Sequence, residues 1–239
     1  MNLCVDQGNT LLKAALFDGE MLISHFTMDS DSESGLSQIL DRFKVDKAIL
    51  SSVSAVPVDA ILSARVKKFV LFNHQTPVPV VNLYETPETL GKDRLAAVVG
   101  ASWLKQETDL LVIDAGTAIT FDFIDSHGVY HGGNIAPGLE MRAESLHHYT
   151  GRLPRVELAE DVVFLGKNTS EAIIAGIIYG AAFEIDGYID RLLLKYPKLC
   201  TFLTGGSSFY FDGKLKNPIF ADKNLVLTGL NRILQYNVS

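Results

Sequence analysis

The sequence contains very little cysteine and no secretion signal. Only Cys4 and Cys200 occur among 239 residues, each within an apolar stretch and without C-x-x-C spacing. This pattern argues against a disulfide framework or a zinc site and predicts buried thiols in a reducing compartment. The first apolar run begins almost at Met1, with no basic segment and no small-residue cleavage site before it. We therefore expect a cytoplasmic protein.

Basic clusters and membrane-length apolar runs are also scarce. Lys and Arg total 21 against 28 Asp and Glu, a net charge of −7, and the densest basic cluster is Arg65, Lys67 and Lys68. Because binding to phosphodiester backbones relies on clustered Lys and Arg, we expect no nucleic-acid partner. The longest apolar run, residues 172–183, is closed by glutamate at both ends and is shorter than the roughly 20 residues that a bilayer requires. It predicts a buried helix and no membrane span.

Two common phosphate-binding motifs are absent. The sequence has no Gly-x-x-x-x-Gly-Lys-Ser/Thr, and no Rossmann glycine triplet follows the first predicted strand. The first absence excludes a P-loop as the source of phosphate binding. With 47% hydrophobic residues, the chain can bury a substantial core, in one large domain or in two of about 100 to 120 residues.

The sequence does contain one internal duplication. Residues 2–5 form a short apolar run that stops at Asp6-Gln7-Gly8-Asn9-Thr10, and residues 110–113 form another that stops at Asp114-Ala115-Gly116-Thr117-Ala118. Each is a predicted strand followed by Asp-x-Gly, and each continues into a second β-rich run that ends in a turn signal. Two hairpins therefore head two similar halves, which we predict as domains 1–107 and 108–239.

Both halves have the pattern of an α/β fold. In the first half we predict helices at residues 35–43 and 57–67 and strands at 47–53 and 69–73. An apolar helix that follows Gly91 and runs through Trp103 is predicted to link the halves. In the second half we predict a loop at 132–138, a helix in the following segment to about residue 149, a helix at 168–195, a strand at 201–204 and a closing helix at 225–236.

An acidic residue at a strand end, followed by glycine and hydroxyl side chains in a tight hairpin, suits a nucleoside triphosphate. The carboxylate binds Mg²⁺ directly or through water, glycine lets backbone N–H groups approach the phosphates, and Asn or Thr adds donors. A single Asp-x-Gly is more simply a turn that reverses a strand. Two copies in equivalent places, with Asn9, Thr10 and Thr117 adjoining, favour phosphate binding.

Further motifs lie in a fixed order along nearly the whole chain. They are Asp6-x-Gly8-Asn9-Thr10-x-x-Lys13, Tyr84 ahead of Gly91-x-Asp93-Arg94, Asp114-x-Gly116-Thr117-Ala118-x-Thr120-x-Asp122, Gly132-Gly133-x-Ile135-x-Pro137-Gly138, and Asn168-Thr169 with Gly176 downstream. In this order and spacing the sequence resembles the type III pantothenate kinases of the acetate and sugar kinase, Hsp70 and actin superfamily. It departs from the family pattern at Thr86-Pro87, where Asn-Pro is more common, and in a shortened glycine region at Gly205-Gly206, which bears on adenine contacts.

The resemblance implies two ribonuclease-H-like halves with ATP in the cleft between them. The γ-phosphoryl group would pass to the primary hydroxyl of pantothenate, the first step of coenzyme A synthesis. One alternative is a kinase of the same superfamily with another small-molecule substrate, which the short chain disfavours. Another is a non-catalytic regulatory protein on the same fold, which the joint retention of Asp6, Asp93, Asp114 and Thr117 disfavours.

The resemblance also implies a pantothenate site. Asp93 matches the family's catalytic base, although the helix dipole alone also explains an acid at a helix start. Arg94 would pair with the substrate carboxylate through its forked guanidinium, and the alternative is a solvent-facing helix residue. The other implied substrate contacts are Tyr84, Gly91, Lys92 and Thr169, for which a strand-end tyrosine and a helix cap are structural alternatives.

ATP and cation sites are implied in the same way. Asp6 would hold Mg²⁺ through the ATP phosphates, and Asp114 would bind a monovalent cation, potassium or ammonium. A structural ion pair is the alternative for Lys13, and ordering of the second hairpin is the alternative for Asp114. The implied ATP contacts are Asp6, Gln7, Gly8, Asn9, Thr10, Leu11, Leu12, Lys13 and Thr117.

Two further predictions concern the second half. The apolar helix at 172–183 contains the small residues Gly176, Gly180, Ala181 and Ala182. Together with the resemblance, it predicts a homodimer in which the second halves pair. The neighbours His147 and His148 point in different directions on a helix and have no third ligand at metal spacing, so we expect an exposed pair and no metal site.

Overall fold

The computed structural model describes residues 1–54 and 58–238, which form two compact units. Unit 1 runs from Met1 to Gln106 and also contains Gly128–Tyr130 and the C-terminal segment from Asn224. Unit 2 comprises Glu107–His127 and His131–Lys223. The division into domains at residues 107 and 108 stays a prediction.

Unit 1 is built on a five-stranded sheet. Its strands are β1 (Asn2–Gln7), β2 (Leu11–Asp18), β3 (Met21–Asp29), β4 (Lys47–Ser52) and β5 (Lys68–Leu71), in the spatial order β3-β2-β1-β4-β5. β1 pairs antiparallel with β2, which confirms the first predicted hairpin, and pairs parallel with β4. A short strand β6 (Val81–Asn82) pairs in parallel with Val129 and Tyr130.

Three helices accompany this sheet in the N-terminal part of unit 1. They are α1 (Glu33–Arg42), α2 (Asp59–Arg65) and α3 (Lys92–Leu104). The Ser32 hydroxyl caps α1 by accepting from the Gly35 N–H at 3.3 Å. The predicted start of the second helix at Pro57 lies outside the described residues. α3 buries eight consecutive residues, Arg94 to Ala101, which explains its nearly continuous apolar sequence.

Unit 2 repeats the hairpin and adds a long core helix. Its elements are β7 (Leu110–Ala115), β8 (Ala118–Ile124), β9 (Val129–Pro137, whose first two residues belong to unit 1), α4 (Leu139–Tyr149), α5 (Thr169–Leu193), β10 (Cys200–Thr204) and β11 (Phe220–Ala221). The strands follow the order β11-β10-β7-β8-β9. β7 and β8 are antiparallel, as predicted, and β10 is parallel to β7. α4 and α5 pack on the sheet face that carries Leu111, Ile113 and Phe121.

Both hairpins continue into a third strand that the sequence did not predict. Gly19 and Gly128 have φ values of +59° and +76°, so each turn reverses the chain into β3 or β9. The predicted loop at 132–138 is therefore wrong, because β9 extends to Pro137. A Cβ at Gly133 would clash with the carbonyl oxygen of Phe121 on β8, so glycine allows this strand to pair closely.

By length and composition, α5 is the one helix among the described residues that could cross a membrane. It extends well beyond the apolar run at 172–183. Half of its most apolar window is buried within the structure, and the buried residues include Ile178, Ala181 and Ile185 in the core of unit 2. The core helix of a soluble protein has the same character.

The chain ends in helix α6 (Leu225–Val238), which packs against α3 in unit 1. Two glycines make this contact possible. A Cβ on Gly229 would clash with the carbonyl oxygen of Ala96, and a Cβ on Gly100 would clash with that of Leu225. The backbones of the two helices therefore approach closely, and α6 supports the helix that carries Asp93 and Arg94.

Candidate active site

The β1–β2 loop of unit 1 carries the first Asp-x-Gly motif. Asp6 lies opposite Lys13, and the Gly8 N–H donates to the Leu11 carbonyl at 2.9 Å. This tight turn leaves the side chains of Asn9 and Thr10 exposed at its tip, where a phosphate can reach them. Leu12, in contrast, is fully buried in the core, so only its backbone is available to a nucleotide.

A chain of hydrogen bonds fixes the position of this loop. The buried Gln7 accepts through Oε1 from the Ser52 hydroxyl at 2.8 Å and donates through Nε2 to the Ser30 carbonyl at 2.7 Å. The Ser30 hydroxyl donates to the Gly8 carbonyl, and Lys92 Nζ donates to the Ser52 carbonyl at 2.7 Å. The β1–β2 loop and the start of α3 are thus both tied to the end of β4.

Asp6 has an unusual electrostatic environment. Burial raises the pKa of Asp6 from 3.8 to about 6, and the negative charge of Asp93 adds to the rise. A hydrogen bond with the Ser51 side chain and the charge of Lys13 lower the pKa of Asp6 by less. A carboxylate that is destabilised by burial and by a like charge gains most from a bound cation.

Asp93 lies in the first turn of α3, which begins after Gly91. Its Oδ1 accepts from the Arg94 N–H at 2.9 Å, and a Cβ on Gly91 would lie 2.6 Å from the same oxygen. Glycine at position 91 therefore provides the space for the carboxylate. The contact with Arg94 N–H fits the helix-dipole interpretation of Asp93, and it leaves the other carboxylate oxygen for a further partner.

Arg94 is 5% exposed, so the alternative of a solvent-facing helix residue is wrong. Its guanidinium carbon lies 5.6 Å from the centre of the Tyr84 ring, and its Nη2 donates to the Tyr130 hydroxyl at 3.4 Å. The two tyrosine rings are nearly parallel, with centroids 6.4 Å apart. The Tyr84 ring and the Tyr130 hydroxyl therefore hold a cation beside the helix start that carries Asp93.

The β7–β8 loop of unit 2 has the same design as the first. The Gly116 N–H donates to the Ala118 carbonyl at 3.0 Å, and the Gly138 N–H donates to the Thr117 carbonyl at 3.2 Å. Gly205 has a φ of +97°, and a Cβ there would clash with Oδ1 of Asp114. The backbone after β10 thus lies directly against the carboxylate of the second motif.

Thr169 is placed in unit 2, as the first residue of α5. The Asn168 side chain caps this helix by accepting from the Glu171 N–H at 3.0 Å, while Glu171 accepts from the Lys167 N–H at 2.8 Å. This is the predicted cap. Thr169 lines a cavity of about 610 Å³ together with Arg142, Leu153, Ile173 and Gly176.

The two adjacent histidines of α4 are exposed, as predicted. His147 Nδ1 lies 2.9 Å from the Leu153 carbonyl oxygen. Within residues 1–54 and 58–238 no three His, Cys, Asp or Glu side chains are grouped so that they could hold a metal ion.

The sequence of the chain is similar to proteins of known family. A family model described as type III pantothenate kinase matches residues 2–191. A type III pantothenate kinase of Phocaeicola vulgatus is 49% identical over 239 residues, which is 99% of this chain and 99% of the relative.

Solved structures share the fold at lower identity. A protein described as a Baf family transcriptional activator from Campylobacter jejuni has a TM-score of 0.61 at 24% identity, with 98% of each chain covered. The ROK hexokinase of Thermus thermophilus has a TM-score of 0.55 at 14% identity, with 99% of each chain covered. These likenesses confirm the predicted α/β fold of the sugar kinase and actin-like type.

Proposed function

The chain belongs to the type III pantothenate kinase family, and from this premise we propose a role for each residue of the candidate site. The reaction is the ATP-dependent phosphorylation of pantothenate, the first step of coenzyme A biosynthesis. The observation that supports the site most directly is the buried Arg94, which contacts the Tyr84 ring and the Tyr130 hydroxyl and is adjacent in sequence to Asp93. Pantothenate carries the two groups that such a pair needs, a carboxylate and a primary hydroxyl.

We assign Asp93 as the general base and Arg94 as the partner of the substrate carboxylate. Phosphoryl transfer requires an aligned hydroxyl and a group that accepts its proton. The carboxylate of Asp93 can accept that proton, while a guanidinium binds a carboxylate in a forked geometry. Tyr84, Gly91 and Thr169 are proposed as further substrate contacts, and Lys92 as a residue whose hydrogen bond to Ser52 positions the start of α3.

We assign the two Asp-x-Gly loops to the phosphates of ATP. The N–H groups and side chains of Gly8, Asn9, Thr10 and Thr117 supply donors, and Lys13 supplies a positive charge. Asp6 fits a role as Mg²⁺ partner, since burial and the nearby Asp93 make its ionised form costly until a cation approaches. When bound, Mg²⁺ would neutralise phosphate charge. Gln7, Leu11 and Leu12 contribute through the loop backbone and its packing.

Asp114 is proposed to bind a monovalent cation, potassium or ammonium. Its Oδ1 is approached by the Gly205 backbone, where a side chain would fill the space. A cation there would add positive charge beside the phosphates. This role would explain why a glycine with a positive φ follows β10.

The purified protein should release ADP only when pantothenate or a close analogue is present. A coupled assay of ADP release, run with pantothenate, with glucose, with acetate and with no acceptor, measures this directly. Because a hydrolase of the same fold would release ADP without an acceptor, and a sugar or acid kinase would respond to the other compounds, either pattern would contradict the assignment. A regulatory protein would release none.

The protein should be a homodimer through unit 2. Phe164 and Phe183 are each 58% exposed and form an edge-to-face ring pair beside Tyr179, and Leu165 is 76% exposed. Such an apolar patch next to the small residues of α5 suits a second copy of the same surface. Light scattering should give twice the 26.2 kDa of one chain.

A variant pair tests where the copies meet. Phe183→Asp should give a monomer, while Leu194→Asp, at an exposed leucine just beyond the end of α5, should leave the mass unchanged. A wild-type monomer at micromolar concentration would contradict the dimer. We also propose a cytoplasmic location, since Cys4 and Cys200 are both free, as thiols are in a reducing compartment.

A further inference from the structure

Thr120 has a buried hydroxyl without a hydrogen-bond partner among the described residues. The side chain is 9% exposed, and Oγ1 is the one buried side-chain polar atom of this part of the chain that lacks a partner. Leaving a hydroxyl in this state destabilises the folded protein, because its lost hydration is not replaced. An unpaired group of this kind calls for an explanation, and an absent ligand is one.

The position of Thr120 indicates which ligand. In the antiparallel pair β7–β8, Thr120 lies directly opposite Asp114, so the two side chains are on the same face of the sheet and their Cβ atoms are about 5 Å apart. The hydroxyl nevertheless makes no hydrogen bond to the carboxylate. Two oxygens that bind the same metal cation lie farther apart than two oxygens joined by a hydrogen bond. The absence of a hydrogen bond between Thr120 Oγ1 and the Asp114 carboxylate therefore fits a shared cation.

We infer that Thr120 Oγ1 is a second protein ligand of the monovalent cation proposed at Asp114, an inference that rests on the proposed function. One carboxylate and one neutral hydroxyl balance a single positive charge, and both are hard oxygen donors of the kind that alkali and alkaline-earth cations prefer. The Gly205 backbone, which crowds Oδ1 of Asp114, limits the space on the other side. Thr120 therefore contributes to the affinity for the cation and to the choice of ion.

The test compares Thr120→Val, which keeps the shape and removes the hydroxyl, with Thr120→Ser, which keeps the hydroxyl. Thermal unfolding is followed with Mg²⁺ and a non-hydrolysable ATP analogue while KCl replaces choline chloride at constant ionic strength. The KCl midpoint is the KCl concentration that produces half of the full rise in melting temperature. For Thr120→Val this midpoint should rise at least tenfold, whereas for Thr120→Ser it should stay near the wild-type value. Without potassium, Thr120→Val should melt no lower than wild type, because it removes an unpaired group.

Thr201→Val is a matched control, since Thr201 is also a buried threonine of unit 2 and pairs with Leu111, on the opposite face of the sheet from Asp114. Its KCl midpoint should not change. An unchanged midpoint in Thr120→Val, or a lower melting temperature of that variant without potassium, would overturn the inference and identify an ordinary structural hydroxyl. If the melting temperature of the wild type did not depend on potassium while ADP release still required pantothenate, the cation role would be wrong and the kinase assignment would stand.

Discussion

Replacing Asp93 by asparagine should lower turnover by about 10² to 10⁴, the usual contribution of a positioned general base. Asparagine has the same shape and can still accept the Arg94 N–H, which Asp93 Oδ1 accepts at 2.9 Å. The start of α3 is therefore preserved while the proton acceptor is lost. Turnover from the coupled assay and pantothenate affinity from calorimetry should separate, with affinity within a few-fold of wild type.

Glu88→Gln is the matched control, because Glu88 is an exposed acid five residues before Asp93. It should leave turnover unchanged. If Asp93→Asn kept near-wild-type turnover at neutral pH, the residue would be only a helix-start acid. If affinity fell together with turnover, Asp93 would bind the substrate and another group would accept the proton.

Asp6→Asn should abolish most of the activity and yet stabilise the protein at neutral pH. Burial first, and then the charge of Asp93, raise the pKa of Asp6 to about 6 from 3.8. A rise of this size corresponds to roughly 3 kcal/mol lost from the folded state once the group is ionised. Asparagine cannot ionise and can still accept from Ser51, so the free energy of unfolding should increase by about 2 to 3 kcal/mol at pH 7.5.

The pH dependence follows from the direction of this shift. Between about pH 4 and pH 6 the folded protein holds a proton on Asp6 that the unfolded chain releases, so wild-type stability falls as pH rises through this range. The advantage of Asp6→Asn should therefore vanish near pH 4 and be complete above pH 7.

Urea unfolding without Mg²⁺ at pH 4, 5, 6 and 7.5 measures this effect. Asp18→Asn, at an exposed acid on the far end of β2, should change stability by less than about 0.5 kcal/mol at any pH. In Asp93→Asn, the fall in stability with rising pH should occur at lower pH, because removing the like charge lowers the pKa of Asp6. An Asp6→Asn variant that is less stable than wild type at pH 7.5 would show that its carboxylate makes compensating contacts.

The sequence predicted the hairpins because their signal is local and occurs twice. Asp-x-Gly after an apolar run specifies both the strand end and the turn, so β1–β2 and β7–β8 were expected where they occur. β3 and β9 were missed because an Asp-Gly or Ser-His-Gly turn marks a reversal without showing that a further strand follows. The residues of β3 are mostly exposed, and β9 contains the glycines of a supposed loop.

The supporting residues of the site could not be predicted in the same way. Ser30, Ser52 and Tyr130 contact Gly8, Gln7, Lys92 and Arg94 only because distant strands meet, and none of the three belongs to a recognisable motif. The burial of Arg94 was also not visible, since an arginine next to an acid at a helix start is ordinarily exposed. Spacing along the chain nominates the candidate side chains, whereas tertiary contacts decide which residues hold them in place.

The packing of α6 on α3 also determines when the enzyme can become active during its synthesis. α3, which carries Asp93, comprises residues 92–104, but α6, the helix that it packs against, comprises residues 225–238 and is made much later. Closing a contact between Ala96 and Gly229 requires more than half of the polypeptide to be looped out, which makes this a late and slow step. Nascent chains cannot place α3 in its final setting until residues 225–238 have been made, and chains that terminate before α6 never do.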